Sequence, residues 1–346
     1  MDIAKKLEKL GIEYAMPIDK EIVRMIAYNV TEALVNKFPS ISDEYNNIFA
    51  KLLNCNMYVA TVTKPISKVN YIYENNSIYF DDTINLNVLT EQTIHECIHY
   101  LQDYRNMKGK LEKIGLCNFE NFNVSGLGLN EAAVQYISAK TVGNMPTILE
   151  RYGVRIQTIS PNYYPFLTNL VEQIIYLMSE EELVRAVIKG NTKFEDDLLN
   201  TFEGNTKKII NRFDEIIEIN NQLNAQTDID KSRLLQQEIA NRYIDTQNLI
   251  FNTYFEKICP RVSTVAEIDY YMTKATNYKR VMGKSLQRNF MQESFYDVQL
   301  KNITKELDKR LYKISKERSK NTLLIIRGDK ILRIIRKIAS YFSAYQ

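Results

Sequence analysis

The chain has only two histidines, and both stand in one pentapeptide, His95-Glu96-Cys97-Ile98-His99. In a helix, four residues advance about 400° in rotation and ~6 Å in rise, so the two imidazoles project from one face and can converge on a single ion. Glu96 lies about 100° further round, near enough to act on water at that ion without being a ligand. Two histidines placed at random would fall four apart, with Glu after the first, roughly once in two thousand sequences, so chance explains the pattern poorly. A lone histidine on an apolar helix face is more often a satisfied core residue. A chain that commits both of its histidines to one i, i+4 pair argues instead for coordination, and the chemistry this supports is zinc-assisted hydrolysis.

A catalytic zinc ion takes three protein ligands and keeps a place for water, so a third donor is needed. Glu131 is the first candidate. In Gly126-Leu-Gly-Leu-Asn-Glu-Ala-Ala-Val-Gln-Tyr it falls in the first turn of a predicted helix, where a carboxylate suits the positive helix end. Asp103, four residues after His99 on the same predicted helix, and Glu120, in the connection that follows, are the alternatives. The plain structural alternative for Glu131 is an exposed carboxylate that serves the helix dipole alone.

Asn130-Glu131-Ala132, taken with His95-Glu96-Cys97-Ile98-His99, resembles the gluzincin metallopeptidases, the thermolysin-like superfamily, whose third ligand is a Glu on the second helix within an Asn-Glu-Ala stretch. The resemblance covers about residues 57 to 200, where a β-rich segment, the His helix, the Glu helix and a Tyr-led helical run follow in the family's order. It implies a Zn2+ held by His95, His99 and Glu131, with Glu96 taking a proton from water and returning it to the leaving amine. It also implies a peptide or protein substrate laid along an edge strand within Val69 to Phe80. With no histidine left to face the oxyanion, Tyr163 or Tyr164, just ahead of a helix at Phe166 to Met178, takes that place by resemblance. Two departures stand out. Thirty-one residues separate His99 from Glu131, and Gln135 occupies the place where thermolysin-like sequences put an Asp that orients a ligand imidazole. The Gln135 amide oxygen can accept from an imidazole N–H, with Asp103 or Glu112 as substitutes.

The elements that must carry these residues are read from periodicity. Residues 2 to 54 read as helices, with Ile22, Val23, Ile26, Val30 and Leu34 on one face. Met57 to Leu89 is rich in β-branched and aromatic residues and predicts a small antiparallel sheet, with Glu74-Asn-Asn-Ser as a turn into Ile78-Tyr-Phe. A helix starts at Thr90, a suitable N-cap, and runs to about Asn106. A connection rich in Gly and Asn leads to the Glu131 helix, which stops near Gly143. Tyr152 to Pro165 reads as a loop, and helices follow at Phe166 to Met178, Glu182 to Lys189 and Phe194 to Phe202. From Lys207 to Ser319 the period is helical almost throughout. The expected class is α+β, mainly α, with residues 1–200 as a catalytic domain and 201–346 as a helical domain with a basic tail.

Composition sets the remaining bounds. With 45% hydrophobic and 25% charged residues, the chain can bury a sizeable core. Cys55, Cys97, Cys117 and Cys259 are too scattered for a thiolate site, no export signal is visible, and no apolar run is long enough to span a bilayer, so the cytoplasm is the expected compartment. The net charge of +3 conceals an asymmetry, since residues 298–346 hold 13 Lys or Arg against 4 Asp or Glu, a local +9. A solvated helix face is the first reading of that tail. Peripheral contact with an anionic membrane is left open, with an apolar stripe at Ile331, Ile334, Ile335, Ile338 and Phe342; nucleic acid is not an expected partner. The rival to hydrolysis is an inactive, zinc-stabilised scaffold that binds partners through its C-terminal helices. A closed four-ligand site, with Cys97 or Cys117 as the extra donor, would mark it.

Overall fold

The first helix, α1 (Ile3–Leu10), ends in a turn at Gly11, and the chain continues in the computed structural model as β1 (Ile12–Pro17), where helix was expected. The structure describes residues 3–64, 67–105, 111–120, 123–286 and 292–321. α2 (Lys20–Lys37) begins at Asp19, whose carboxylate accepts from Glu21 N, and buries Val23, Ile26, Val30 and Leu34. α3 (Tyr45–Leu53) leads into β2 (Asn56–Val62), β3 (Val69–Ile72) and β4 (Ser77–Asp81).

These strands form a four-stranded sheet of order β1-β2-β4-β3. β1 pairs antiparallel with β2 and β3 antiparallel with β4, but β2 and β4 run parallel. The sheet is therefore mixed, not antiparallel. The expected turn at 74–77 does make a β3–β4 hairpin, but it is β4 that returns against β2, so the chain re-enters beside β2 in the same direction. β4 is buried along its whole length, as an interior strand should be. Ile12, Ala60, Ile72 and Tyr79 form a small core under α1, which adds Ile3, Leu7 and Leu10.

α4 (Glu91–Gln102) carries the His pair. Thr90 Oγ1 accepts from Thr93 N at 3.1 Å and caps it. It stops four residues short of the expected end, because Asp103 turns extended and starts β5 (Asp103–Arg105), which pairs with β6 (Leu111–Ile114). A short hairpin of β7 (Asn118–Glu120) and β8 (Asn123–Ser125) precedes α5 (Leu127–Thr141), the helix of Glu131. β9 (Thr147–Arg151) and β10 (Val154–Thr158) form a hairpin turned by Tyr152 and Gly153, both at positive φ, so the expected loop from Tyr152 begins with the turn and β10. Two successive positive φ values suit the twist of flanking strands, and the Tyr-Gly pair is an uncommon signal for it.

α6 (Pro165–Leu177), α7 (Glu180–Lys189), α8 (Lys193–Phe202), α9 (Thr206–Ala225), α10 (Ile229–Ile258) and α11 (Val265–Tyr278) follow, then β11 (Lys284–Ser285) and α12 (Gln292–Asn321). The protein is thus mainly helical, with a small mixed sheet. α4 and α5 are buried on nearly all sides, so they are core helices and not an amphipathic surface pair. The chain divides into two units. The first is Met1–Ile250 with Val281–Arg288, so α9 and most of α10 pack in the same unit as the 1–200 range. The second holds Phe251–Arg280 and α12, and its interior is aromatic: Phe251 packs on Tyr278 and Tyr296 with ring centroids 5.0 and 5.4 Å apart. Among the described residues no helix is long and apolar enough to cross a membrane. The stripe at Ile331 to Phe342 lies outside the described residues.

Candidate metal centre

His95 and His99 present their Nε2 atoms to each other at 2.9 Å. Glu131, brought across by α5, places Oε2 3.4 Å from His95 Nε2 and Oε1 3.3 Å from His99 Nε2. Donors bound tetrahedrally to zinc at about 2.0–2.1 Å stand roughly 3.3 Å apart, so three donors at 2.9 to 3.4 Å cap one face of such a tetrahedron. No fourth His, Cys, Asp or Glu among the described residues joins the group. Two nitrogens and one carboxylate with the fourth corner open fit a catalytic zinc site, not a closed structural one. Exposure of 9% at His95 and 8% at His99, with 18% at the Glu131 side chain, puts the group just beneath the surface.

The electrostatics agree with that geometry. Burial alone would raise the Glu131 carboxyl, but the neighbouring imidazoles, His99 foremost, hold it well below the usual carboxylate range. Burial would lower His99; Glu131 and Glu96 instead raise it to about 9. Two imidazole nitrogens and a carboxylate facing one point make a donor set for a cation.

A chain of hydrogen bonds fixes how His99 faces His95 and Glu131. Leu116 N–H can only donate, so the Asn130 atom 3.0 Å from it is Oδ1. Asn130 Nδ2 then donates to Gln102 Oε1 at 3.1 Å, and Gln102 Nε2 donates back to Asn130 Oδ1 at 2.9 Å. Gln102 Oε1 accepts in turn from His99 Nδ1 at 3.3 Å. The proton sits on Nδ1, and Nε2 offers its lone pair to the site. Gly115 closes this network: its φ is +50°, and a Cβ there would overlap Asn130 Oδ1 and Gln102 Nε2.

α5 is set by a partner distant in sequence. Gly126, its N-cap, has no side chain, and Asp214 of α9 accepts from Gly126 N and Gly128 N, each at 2.8 Å. A Cβ at Gly128 would strike the backbone of Phe213, so the absent side chain is what lets α9 approach. The acidic group at the positive end of α5 is therefore Asp214, and Glu131 is free to face the histidines.

Glu96 is partly buried beside the imidazoles. Burial pushes its carboxyl up, and His95 and His99 oppose that. Oε2 accepts from Tyr71 N at 2.9 Å. Because β3 is the edge strand, that N–H points out of the sheet at α4, and Glu96 takes a donor that would otherwise meet solvent. Only Val69–Ile72 of the expected substrate strand is an edge; Ser77–Asp81 is interior.

The expected tyrosines part company. Tyr164 is partly buried, burial and then the charges of Glu131 and Glu96 raise its phenol, and its loop is tied to α5 through Ser160 and Gln135. Tyr163 is 38% exposed, and its hydroxyl accepts from Gln92. Three further candidates have other partners or places. Asp103 leaves the helix and accepts from the Tyr71 hydroxyl and from Arg105, each at 2.6 Å, so it is neither a ligand nor an orienting group. Gln135 donates to Glu91 and Ser160, and the imidazole partner is Gln102. Cys117 is buried outside the donor group. The side chains of Glu112 and Glu120 fall outside those described. Reading the sequence missed Gln102, although its place three residues after His99 puts it on the same helix face. No local signal announces the Tyr71 amide. Neither a protein-family model, nor a curated protein, nor a solved structure matches the chain, and the site is read from its geometry alone.

Proposed function

We propose that the chain is a zinc-dependent peptidase of the gluzincin type. The observation that carries this is the triangle of His95 Nε2, His99 Nε2 and a Glu131 oxygen, at zinc-ligand spacing with an open corner among the described residues, beside the partly buried Glu96. A zinc ion held there would supply Lewis-acid polarisation of a carbonyl and a water of lowered pKa. Glu96 keeps one oxygen on Tyr71 N–H, and its other oxygen is the base that takes the water proton and later passes it to the leaving amine. The burial that raises its carboxyl towards neutrality suits both halves of that exchange. Tyr164, beside Glu131 and Glu96, donates its hydroxyl to the developing oxyanion. The edge strand Val69–Ile72, with its Tyr71 N–H engaged by Glu96, offers its remaining outward backbone groups to an extended peptide.

The inactive-scaffold alternative is disfavoured by the lack of a fourth protein donor among the described residues. The test measures bound zinc and cleavage of a mixed peptide library for the native chain, Glu96→Gln and Glu131→Ala. Glu96→Gln is expected to retain metal and lose turnover, and Glu131→Ala to bind metal more weakly. Full cleavage by Glu96→Gln, or no cleavage by the zinc-loaded native chain, overturns the peptidase reading.

A further inference from the structure

Gln135 stands one turn after Glu131 on α5, yet it serves neither imidazole. Its amide nitrogen gives one hydrogen to Glu91 and the other to Ser160 Oγ at 2.8 Å. Ser160 Oγ–H then donates to the carbonyl of Tyr163 at 2.7 Å. The direction is forced at both ends, since a carboxylate and a peptide carbonyl only accept. Both bridging residues are deeply buried, Gln135 at 3% and Ser160 at 1% exposure.

The relay ends on the peptide that joins Tyr163 to Tyr164, the bond from which φ of Tyr164 is measured. That φ is +46° with ψ +46°, a left-handed conformation that a bulky L-residue holds only where its surroundings dictate it. The stretch leading there is tied down elsewhere too. Ile159 N donates to Glu172 Oε1 at 3.2 Å, Asn144 Nδ2 reaches Ile159 O at 3.2 Å, and Ser160 N reaches Thr158 Oγ1 at 3.2 Å. On the far side, Tyr164 O accepts from Thr168 N at 2.9 Å in the first turn of α6. The loop that presents the left-handed residue is thus tied to both helices of the site, to α5 one turn beyond Glu131 through Gln135 and Ser160, and to α4 through Gln92 and the Tyr163 hydroxyl.

We propose that Gln135 and Ser160 are positioning residues, which lock the Tyr163–Tyr164 peptide and thereby set the Tyr164 hydroxyl beside the Glu131–Glu96 site. The assignment rests on reading Tyr164 as the oxyanion donor. Its physical reason is that a donor carried on a loop contributes to a transition state only when its orientation is settled beforehand. One turn of α5 then serves both needs, Glu131 towards the ion and Gln135 towards the donor.

The test uses the full chain with 3-fluorotyrosine at position 164, followed by 19F NMR with and without zinc. In the native chain the resonance is expected to move on zinc addition. In Ser160→Ala, a variant that removes one hydroxyl, that movement should shrink by about half or more and the line broaden. Gln135→Met gives the same readout if Ser160→Ala folds poorly. An unaltered zinc response in both variants overturns the proposal. In peptide cleavage, Ser160→Ala is expected to lower kcat about tenfold with KM and bound zinc unchanged. The same change made on Tyr164→Phe should alter kcat less than about twofold. Equal losses in the two backgrounds overturn the proposal. A native chain that cleaves no peptide would sink the peptidase reading instead, and the 19F comparison would still decide the positioning.

Discussion

His99 and His95 are four residues apart on one helix, yet their surroundings differ in kind. On the His99 side every polar atom is engaged: Nδ1 on Gln102, Gln102 on Asn130, Asn130 on Leu116 N, with Gly115 leaving no room to move. On the His95 side Nδ1 has no hydrogen-bond partner among the described residues, and Tyr71 N engages one Glu96 oxygen. Buried polar groups are ordinarily satisfied, so the asymmetry carries information. In the function proposed above, one side would hold the ion in place and the other would present Glu96 to the reacting water.

The largest effect expected of a single change falls on the ion itself. Glu131→Ala should weaken zinc binding by about 10²–10³-fold, one donor's share of a total near 10–16 kcal/mol, as read by competition with a chelating dye. Retained affinity would mean the carboxylate is not a ligand. Gly115→Ala strikes the holding side next. The added methyl meets Asn130 and Gln102 at a positive φ, and a loss of roughly 2–4 kcal/mol in urea unfolding is expected. A variant as stable as the native chain would break the picture of a closed clamp.

Two milder substitutions separate the sides directly. Gln102→Leu should lower zinc affinity about 10–100-fold while the zinc-loaded fraction turns over normally. Tyr71→Phe removes the hydroxyl bond to Asp103 that steadies the edge strand holding Glu96. It should leave zinc affinity alone and cut kcat about 3–10-fold. If the two variants exchange these phenotypes, the division into a holding side and a reacting side is wrong.

The smallest effect concerns Glu172, which braces the Tyr164 stretch through Ile159 N. Burial pushes its carboxyl up to about 7, so the fold retains a proton that the unfolded chain gives up near 4.5. Stability from this group is therefore lost as pH rises from about 4.5 to 7 and is level above that. Glu172→Gln still offers Ile159 an acceptor and removes the titration. Its advantage over the native chain should grow across that window, to on the order of 1 kcal/mol, in urea midpoints measured from pH 4.5 to 8. Parallel curves would count against it.

Much of the site was legible because its logic is local. The i, i+4 spacing of the histidines, the place of Glu96 between them, the Thr90 cap and the helices from 165 to 202 all follow from rotation per residue and cap chemistry, which operate within a few residues. Asn130-Glu131-Ala132 was readable too, although only the packing of α4 on α5 brings Glu131 within 3.4 Å of both imidazoles. What failed was whatever a distant segment decides. Asp103 looked helical until pairing with β6 drew it into a strand, and the sheet looked antiparallel until β4 settled against β2.

The sequence by itself determined which residues could bind a metal and on which helical face two of them would lie. Tertiary structure alone decided the approach of Glu131 to the imidazoles, the Gln102 and Asn130 clamp, the capping of α5 by Asp214, and which of two adjacent tyrosines is left exposed. The physical reason is range: helical periodicity is set by neighbours in the chain, whereas a buried hydrogen bond takes its partner from whichever segment the packed core brings alongside.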